Sequence, residues 1–438
     1  MSTIVAKFGG SSVANAEQIR KVARIIGDEP RRRIVVVSAP GKRSKEDEKI
    51  TDILISCHMM AARGEDFRPR FALIRERYTE IAEELGLGND LEPVLEEVEN
   101  SIAAGADESA VVSRGEYLGA HLIARFLGFE FVDAAELIRF SDPTTVDDAG
   151  SDALIVKRLS PEGRYVIPGF YGALESGKVQ LFTRGGSDIS ASLVARAIGA
   201  ERYENWTDVS GLLSADPRVV DAPAPISEVS YHELRELAYL GANVFHDEAV
   251  APVAERQIPI NIKNTNEPAH PGTMIIAATD AHARGRGTRT GVAGKTGFVG
   301  IVIGRSMLNK IRNVPGRLAT ALEDHGVRLH HCAVGSDSAQ GIVESAALDT
   351  AGEAVFDEIS RLFGGATVER TGRYALVGAV GKELAVAPGS LGAVLAALGG
   401  AGIDIHYVGS GHSRSSFFVA VDEDRYEETV RIIYTATA

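Results

Sequence analysis

At 438 residues the chain exceeds what one hydrophobic core usually holds, so two or three domains are expected. Its 45% hydrophobic and 24% charged residues are the composition of an ordinary globular protein. A formal net charge of −14 excludes nucleic acid or an anionic membrane surface as the main partner, so an anionic substrate must be held by a local basic pocket.

In chain order, residues 3–8 are apolar and partly β-branched and predict a buried strand, followed by a glycine turn and a helix over about 15–26. Residues 34–37 are a second β-branched run, ending at Ser38-Ala39-Pro40-Gly41. The charged stretch 42–49 predicts a mobile loop, a helix starts at Thr51, and 67–101 reads as a helical hairpin. Further strands are expected at 165–167, 179–183 and 259–263. Such alternation predicts an α/β fold whose mostly parallel sheet carries helices on both faces. Cys57 and Cys332 match no metal-ligand or redox spacing and read as two buried, reduced thiols of a cytoplasmic protein. The first residues carry no signal-peptide pattern, and no stretch approaches the ~20 apolar residues that span a bilayer.

The character changes near Ala278, and 281–287 is small, basic and glycine-rich, which predicts a linker. Beyond it, Leu318, Ala319, Leu322, Gly326 and the run 327–331 correspond at a constant shift to Val394, Leu395, Leu398, Gly402 and the run 403–407. Each copy reads as an apolar helix, a glycine stop and an alternating strand. Strand candidates precede them at 299–303 and 375–380 and follow them at 341–345 and 416–421. Two small α+β units of βαββαβ type are expected, through duplication or through chance similarity.

Two glycine turns suit an anion. Lys7-Phe8-Gly9-Gly10-Ser11-Ser12 joins a strand to a helix, so backbone N–H groups and the helix's positive end can approach a phosphate, with Lys7 in reach. It has neither of the common nucleotide-loop spacings, and glycine pairs also make plain turns. Arg184-Gly185-Gly186-Ser187-Asp188 repeats the design, and an arginine there can hold a carboxylate through two parallel hydrogen bonds. Ser187 or Asp188 also reads as a simple N-cap, and Glu116 in Ser113-Arg114-Gly115-Glu116-Tyr117 as a first-turn acid. Residues 206–211 and 215–218 predict turn-rich loops that can reach a nucleotide or merely lie at the surface.

In order and spacing these segments resemble the aspartate kinase family of the amino-acid kinase fold, over essentially the whole chain. Further matches are Val-Val-Ser-Ala-Pro-Gly-Lys at 36–42, Trp-Thr-Asp-Val-Ser-Gly at 206–211, Ala-Asp-Pro-Arg at 215–218, Asn-Thr-Asn at 264–266 and Pro-Gly-Thr at 271–273. The resemblance implies ATP, with Mg²⁺ brought on its phosphates rather than by a protein metal site, and aspartate as acceptor. The product would be 4-phospho-L-aspartate, the first step towards lysine, threonine and methionine. Lys7 would bridge the ATP phosphates, with Gly9, Gly10, Ser11, Gly185 and Gly186 cradling them. Ser38 and Thr51 would line the substrate pocket, Glu116 would take the ammonium of aspartate and Arg184 its α-carboxylate. Ser187 and Asp188 would orient substrate and Lys7, and Thr207, Asp208, Asp216, Arg218 and Lys263 would contact the nucleotide. The chain departs from some relatives at Leu213 and Asn266, where they carry a tyrosine and a lysine.

The C-terminal units resemble ACT domains, which bind amino acids. The resemblance implies a catalytic domain over 1–277, a linker over 278–296, and ACT-like units over 297–370 and 371–438, the second borrowing a strand from 291–297. It further implies a homodimer through these units, and effector contacts at Ser306, Met307, Arg317, His331, Ser336 and Ser338 for lysine, threonine or both. Residues 410–414 depart from the family's pattern there. An ionised carboxylate needs no strong general base, so such a kinase works by positioning and charge stabilisation. Rival readings are a same-fold kinase for another amino acid, a paralogue of a specialised pathway, and a silent ACT-type sensor.

Overall fold

The computed structural model describes residues 2–183, 185–242, 247–277, 289–381, 384, 389–410 and 415–437. It divides into two compact units: 1–212, 225–234 and 244–284 form the first, and 213–224, 235–243 and 285–438 the second.

The first unit is built on an eight-stranded sheet in the order 228–230, 273–276, 260–264, 202–207, 4–8, 32–37, 165–168 and 130–131. Neighbouring strands run parallel throughout, except that Ile260–Asn264 and Thr273–Ile276 are antiparallel. The central strand Ile4–Phe8 is wholly buried, as its apolar run requires. Ala6 and Phe8 face the core formed with helices Ala16–Gly27, Ile50–Ala62, Arg68–Glu84, Glu92–Ala103 and Arg114–Leu127. Helix Gly186–Ile198 packs on the same central strands, and helices Asp148–Arg158 and Asp247–Glu255 pack against it.

Three expectations need correction. Residues 202–207 are a central strand beside Ile4–Phe8, although Trp206 and Thr207 read as loop. Their alternation of charged, aromatic and amide side chains hides a strand whose buried Glu204 and Asn205 find partners in Arg32 and Asp188 across the fold. The strand expected at 179–183 covers only Val179–Leu181 and lies in a separate three-stranded sheet with 139–140 and 171–174. Finally, the stretch 42–49 is anchored rather than free: Arg77, Arg70 and Glu80 of helix Arg68–Glu84 all hold it.

The second unit carries a six-stranded antiparallel sheet. Gly291–Gly304 and Thr367–Val380 are long paired strands that run through both halves of it. Around 298–304 and 367–373 the strands Leu329–Val334 and Ser338–Glu344 complete one βαββαβ module, with helices Val314–Glu323 and Ala354–Leu362. Around 374–380 the strands Tyr407–Ser410 and Ser416–Asp422 form the other, with helices Ser390–Gly400 and Tyr426–Ala436. Residues 291–295 supply its outer strand, pairing with 376–380. The strand expected over 403–407 begins only at Tyr407. The expected linker residues 278–288 lie outside the described residues.

Candidate active site

Lys7 is the fourth residue of the strand Ile4–Phe8, so the pleat turns it to the face away from Phe8. There its Nζ stands 2.6 Å from Oδ1 of Asp188, with both side chains largely withdrawn from water. Asp188 lies in the first turn of helix Gly186–Ile198, where the helix dipole favours a carboxylate. Asn205, paired with Lys7 in the neighbouring strand, donates from Nδ2 to the same Oδ1 at 2.8 Å and to the Tyr203 hydroxyl at 3.3 Å. One carboxylate oxygen thus receives two donors from adjacent strands, which fixes the direction of the ammonium.

Past Phe8 the chain turns sharply. The Gly9 N–H donates to the Trp206 carbonyl at 3.0 Å, and the Ser12 N–H to the Gly9 carbonyl at 2.9 Å. Ser11 is exposed, whereas Ser12 is buried, its hydroxyl 2.7 Å from that of Thr265. Gly10 lies against 39–41: the Gly41 N–H donates to its carbonyl at 2.8 Å, and a β-carbon on Gly10 would come 2.9 Å from the Ala39 carbonyl oxygen. Only glycine fits so close an approach.

The second turn is as constrained. Gly185 has φ 59, and a β-carbon on Gly186 would stand 2.8 Å from the Phe170 Cα. Ser187 is buried against Gly169. Arg184 lies outside the described residues.

Glu116 is the third residue of helix Arg114–Leu127 and only 7% exposed. Burial pushes its carboxyl up to about 7, against the opposing pull of the Ala39 N–H and of the Arg114 and Lys7 charges. Its Oε2 is buried with no hydrogen-bond partner, which leaves a strong acceptor waiting for a donor. Ser38 is half-buried, its N–H donating to the Phe8 carbonyl at 3.1 Å, and Thr51 is half-buried in the first turn of helix Ile50–Ala62.

Thr207 ends its strand, its hydroxyl donating to Asp208 at 3.2 Å. Lys263 is not brought to Lys7: its Nζ lies 5.1 Å from the ring centre of Trp206, on the sheet's other face. Asp216 and Arg218 pair with each other at 2.7 Å in the segment 213–224, which belongs to the second unit. Sequence reasoning missed Asn205, Tyr203, Arg77 and Tyr78; only the alternation of 202–207 carried a signal for the first two. Among the described residues, no cluster of three or more His, Cys, Asp or Glu side chains could hold a metal ion.

In the second unit, Ser306, Met307, Ser336 and Ser338 meet in two laced turns. The Met307 N–H donates to the Asp337 carboxylate at 2.5 Å, the Asn309 N–H to the Ser336 carbonyl at 3.1 Å, and the Gly335 N–H to the Ser338 carbonyl at 2.7 Å. Met307 is exposed and left-handed at φ 60. Arg317 instead caps helix Ala354–Leu362, donating to the Leu362 carbonyl at 2.8 Å with its guanidinium over Phe363. His331 packs against Tyr407 and Phe418, with its Nε2 3.3 Å from the Tyr239 hydroxyl. Burial pushes its imidazole down to about 4, so it is neutral at pH 7.

A sequence profile of the amino acid kinase family matches residues 2–264. Aspartokinase 3 of Bacillus subtilis (strain 168) is 35% identical over 449 residues, covering 98% of this chain and 97% of that protein. The aspartate kinase of Clostridium acetobutylicum superposes with a TM-score of 0.92 at 40% identity, over 99% of this chain and 100% of that one. Escherichia coli aspartokinase III, at 25% identity over 99% of each chain, superposes with TM-scores of 0.76 in its complex with aspartate and ADP and 0.77 in its complex with lysine and aspartate. The chain belongs to the amino acid kinase family, in its aspartokinase branch.

Proposed function

We propose that this chain is an aspartate kinase, transferring the γ-phosphoryl group of ATP to the side-chain carboxylate of L-aspartate. A carboxylate oxygen attacks the γ-phosphorus, the bond to the β–γ bridging oxygen breaks, and ADP leaves with 4-phospho-L-aspartate as product. This opens the route to lysine, threonine and methionine.

The observation that carries the reading is Glu116. A buried carboxylate oxygen without a partner fits the ammonium of a free amino acid, and an N-acylated substrate would have none to offer. Lys7, aimed by Asp188 and Asn205, stabilises the negative charge that spreads over the transferred group. Gly9, Gly10 and Ser11 on one turn and Gly185 and Gly186 on the other present backbone N–H groups to phosphate. Ser38 and Thr51 line the amino-acid pocket, Arg184 takes the α-carboxylate, and Ser187 helps to orient the substrate. Thr207 and Asp208 are the proposed nucleotide contacts in the first unit. Lys263 is left out, because its ammonium is engaged with Trp206 on the other face. Mg²⁺ would be held by the ATP phosphates and would neutralise their charge.

Residues 1–277 form the proposed catalytic domain, and 297–370 and 371–438 the ACT-like domains that pair two copies into a homodimer; of the expected linker 278–296, residues 291–295 are instead a strand of the second ACT-like domain. A cytoplasmic setting agrees with the free thiols of Cys57 and Cys332. Allosteric control acts through the laced turns at 306–309 and 335–338. Lysine is the first effector to test, since Escherichia coli aspartokinase III has been solved with it. Kinase assays with lysine and threonine, singly and together, are expected to show inhibition; none with any combination would refute this control.

The activity itself is tested by trapping an acyl phosphate as hydroxamate. With ATP, Mg²⁺ and aspartate, product is expected. Product with glutamate but not aspartate would overturn the choice of substrate, and none with any amino acid would leave the sensor reading.

A further inference from the structure

Helix Arg68–Glu84 carries two adjacent buried polar residues that point at the backs of the two substrate subsites. Arg77 is 3% exposed. Its guanidinium donates to the carbonyl of Gly41, to the carbonyl of Glu48 at 3.3 Å, and to the Asp47 carboxylate at 2.8 Å. Asp47 is at the same time held by the N–H and guanidinium of Arg43. Despite its partial burial, these cationic and N–H donors keep its carboxyl down at about 2. The segment 41–48 is thus wound around one buried cation.

What makes this more than a loop anchor is the other side of Gly41. Its N–H donates to the Gly10 carbonyl, and a β-carbon on it would come within 2.7 Å of the Gly10 carbonyl carbon. Arg77 therefore touches the same residue that backs the Gly9–Gly10 turn, with no flexible side chain between. Tyr78, the next residue, donates its hydroxyl to the Gly115 carbonyl at 2.6 Å, one residue before Glu116.

Resting on the proposed kinase reading, we propose that Arg77 is a positioning residue for the phosphate turn, acting through Gly41 on Gly10, while Tyr78 positions the Glu116 end. The two arms are separable. Loss of Arg77 lets the Gly10 carbonyl and the turn's N–H groups shift, which weakens the nucleotide phosphates' hold. Loss of the Tyr78 hydroxyl frees the Gly115 carbonyl and moves the ammonium site. Hydrogen bonds from a buried charge to carbonyls are among the strong ones, and a guanidinium reaches three acceptors where an ammonium cannot match the fork.

The test is steady-state kinetics of the full-length chain, after wild type has been shown to form hydroxamate from ATP and aspartate. A wild type without activity would defeat the kinase reading; the variants decide the positioning role. R77Q is expected to raise KM for ATP about tenfold while KM for aspartate changes less than about twofold, with R77K restoring part of the loss. Y78F is expected to show the reverse split. D47N keeps the buried arginine but loosens its loop, and is expected to raise KM for ATP by about threefold; it decides the matter if R77Q does not fold. Equal changes in both KM values, or unchanged KM for ATP in a folded R77Q or in D47N, would overturn the proposal.

Discussion

Lys7, Asp188 and Glu116 illustrate how few charges the reaction needs. The acceptor carboxylate is already ionised at pH 7, so the protein's work is to bring two anions together. Lys7, proposed for that role, has its partner oxygen shared by Asn205. Asn205→Ala leaves the Lys7–Asp188 pair but frees its direction, and in the folded protein is expected to lower kcat about tenfold; an unchanged kcat would dismiss Asn205 as a positioning residue. Glu116 gives a pH signature. In the free protein its carboxyl titrates at about 7, and only the charged form can receive an ammonium. As pH falls below about 7 the proton competes with substrate, so KM for aspartate should rise about tenfold per pH unit towards the acid side. Glu116→Gln should flatten that profile and raise KM throughout. A profile that stays flat in wild type from pH 8 to 6 would contradict the role.

Elements show where sequence legibility ends. The apolar runs at 4–8, 34–37 and 165–168 were readable because burial on both faces of a parallel sheet demands continuous hydrophobicity. Glycine pairs at 9–10 and 185–186 were readable as turns, and Gly10 and Gly186 are held there by close packing against Ala39, Gly41, Phe170 and Phe182. Arg202–Thr207 offered only its alternation, for the opposite reason. Glu204 is buried there only because Arg32 at 2.7 Å, Arg202 at 2.9 Å and the Trp206 indole N–H at 2.9 Å surround it. Two of those donors lie within two residues, but the third is 172 positions away. Likewise 42–49 looked loose because its anchor, Arg77, lies about thirty residues on in another helix. Removing one partner of such a buried network is strongly destabilising, so Glu204→Ala should cost about 3–5 kcal/mol in denaturant unfolding. A loss below about 1 kcal/mol would show that the buried carboxylate is not what holds this strand.

At the scale of the molecule, the second unit is not two beads on a string. Gly291–Gly304 and Thr367–Val380 each serve both βαββαβ modules, so the first module, within 298–373, is inserted between the two pieces of chain that build the second. The internal repeat was legible from its glycine stops, whereas the strand lent by 291–297 was expected only through the family resemblance, because pairing across the repeat leaves no local pattern; the structure has it at 291–295. A chain ending at residue 370 would leave 291–295 as an unpaired edge and is expected to associate, seen as a rise in light scattering. A truncated chain that stays as well dispersed as the full one would contradict the shared-strand architecture. In the proposed reaction a single directed ammonium, that of Lys7, carries the chemistry. Measured as hydroxamate formation at saturating ATP, Mg²⁺ and aspartate, Lys7→Ala in a folded chain should lose about 10²–10³-fold in kcat, the scale of a lost charge-stabilising donor. A near-normal kcat would contradict the account.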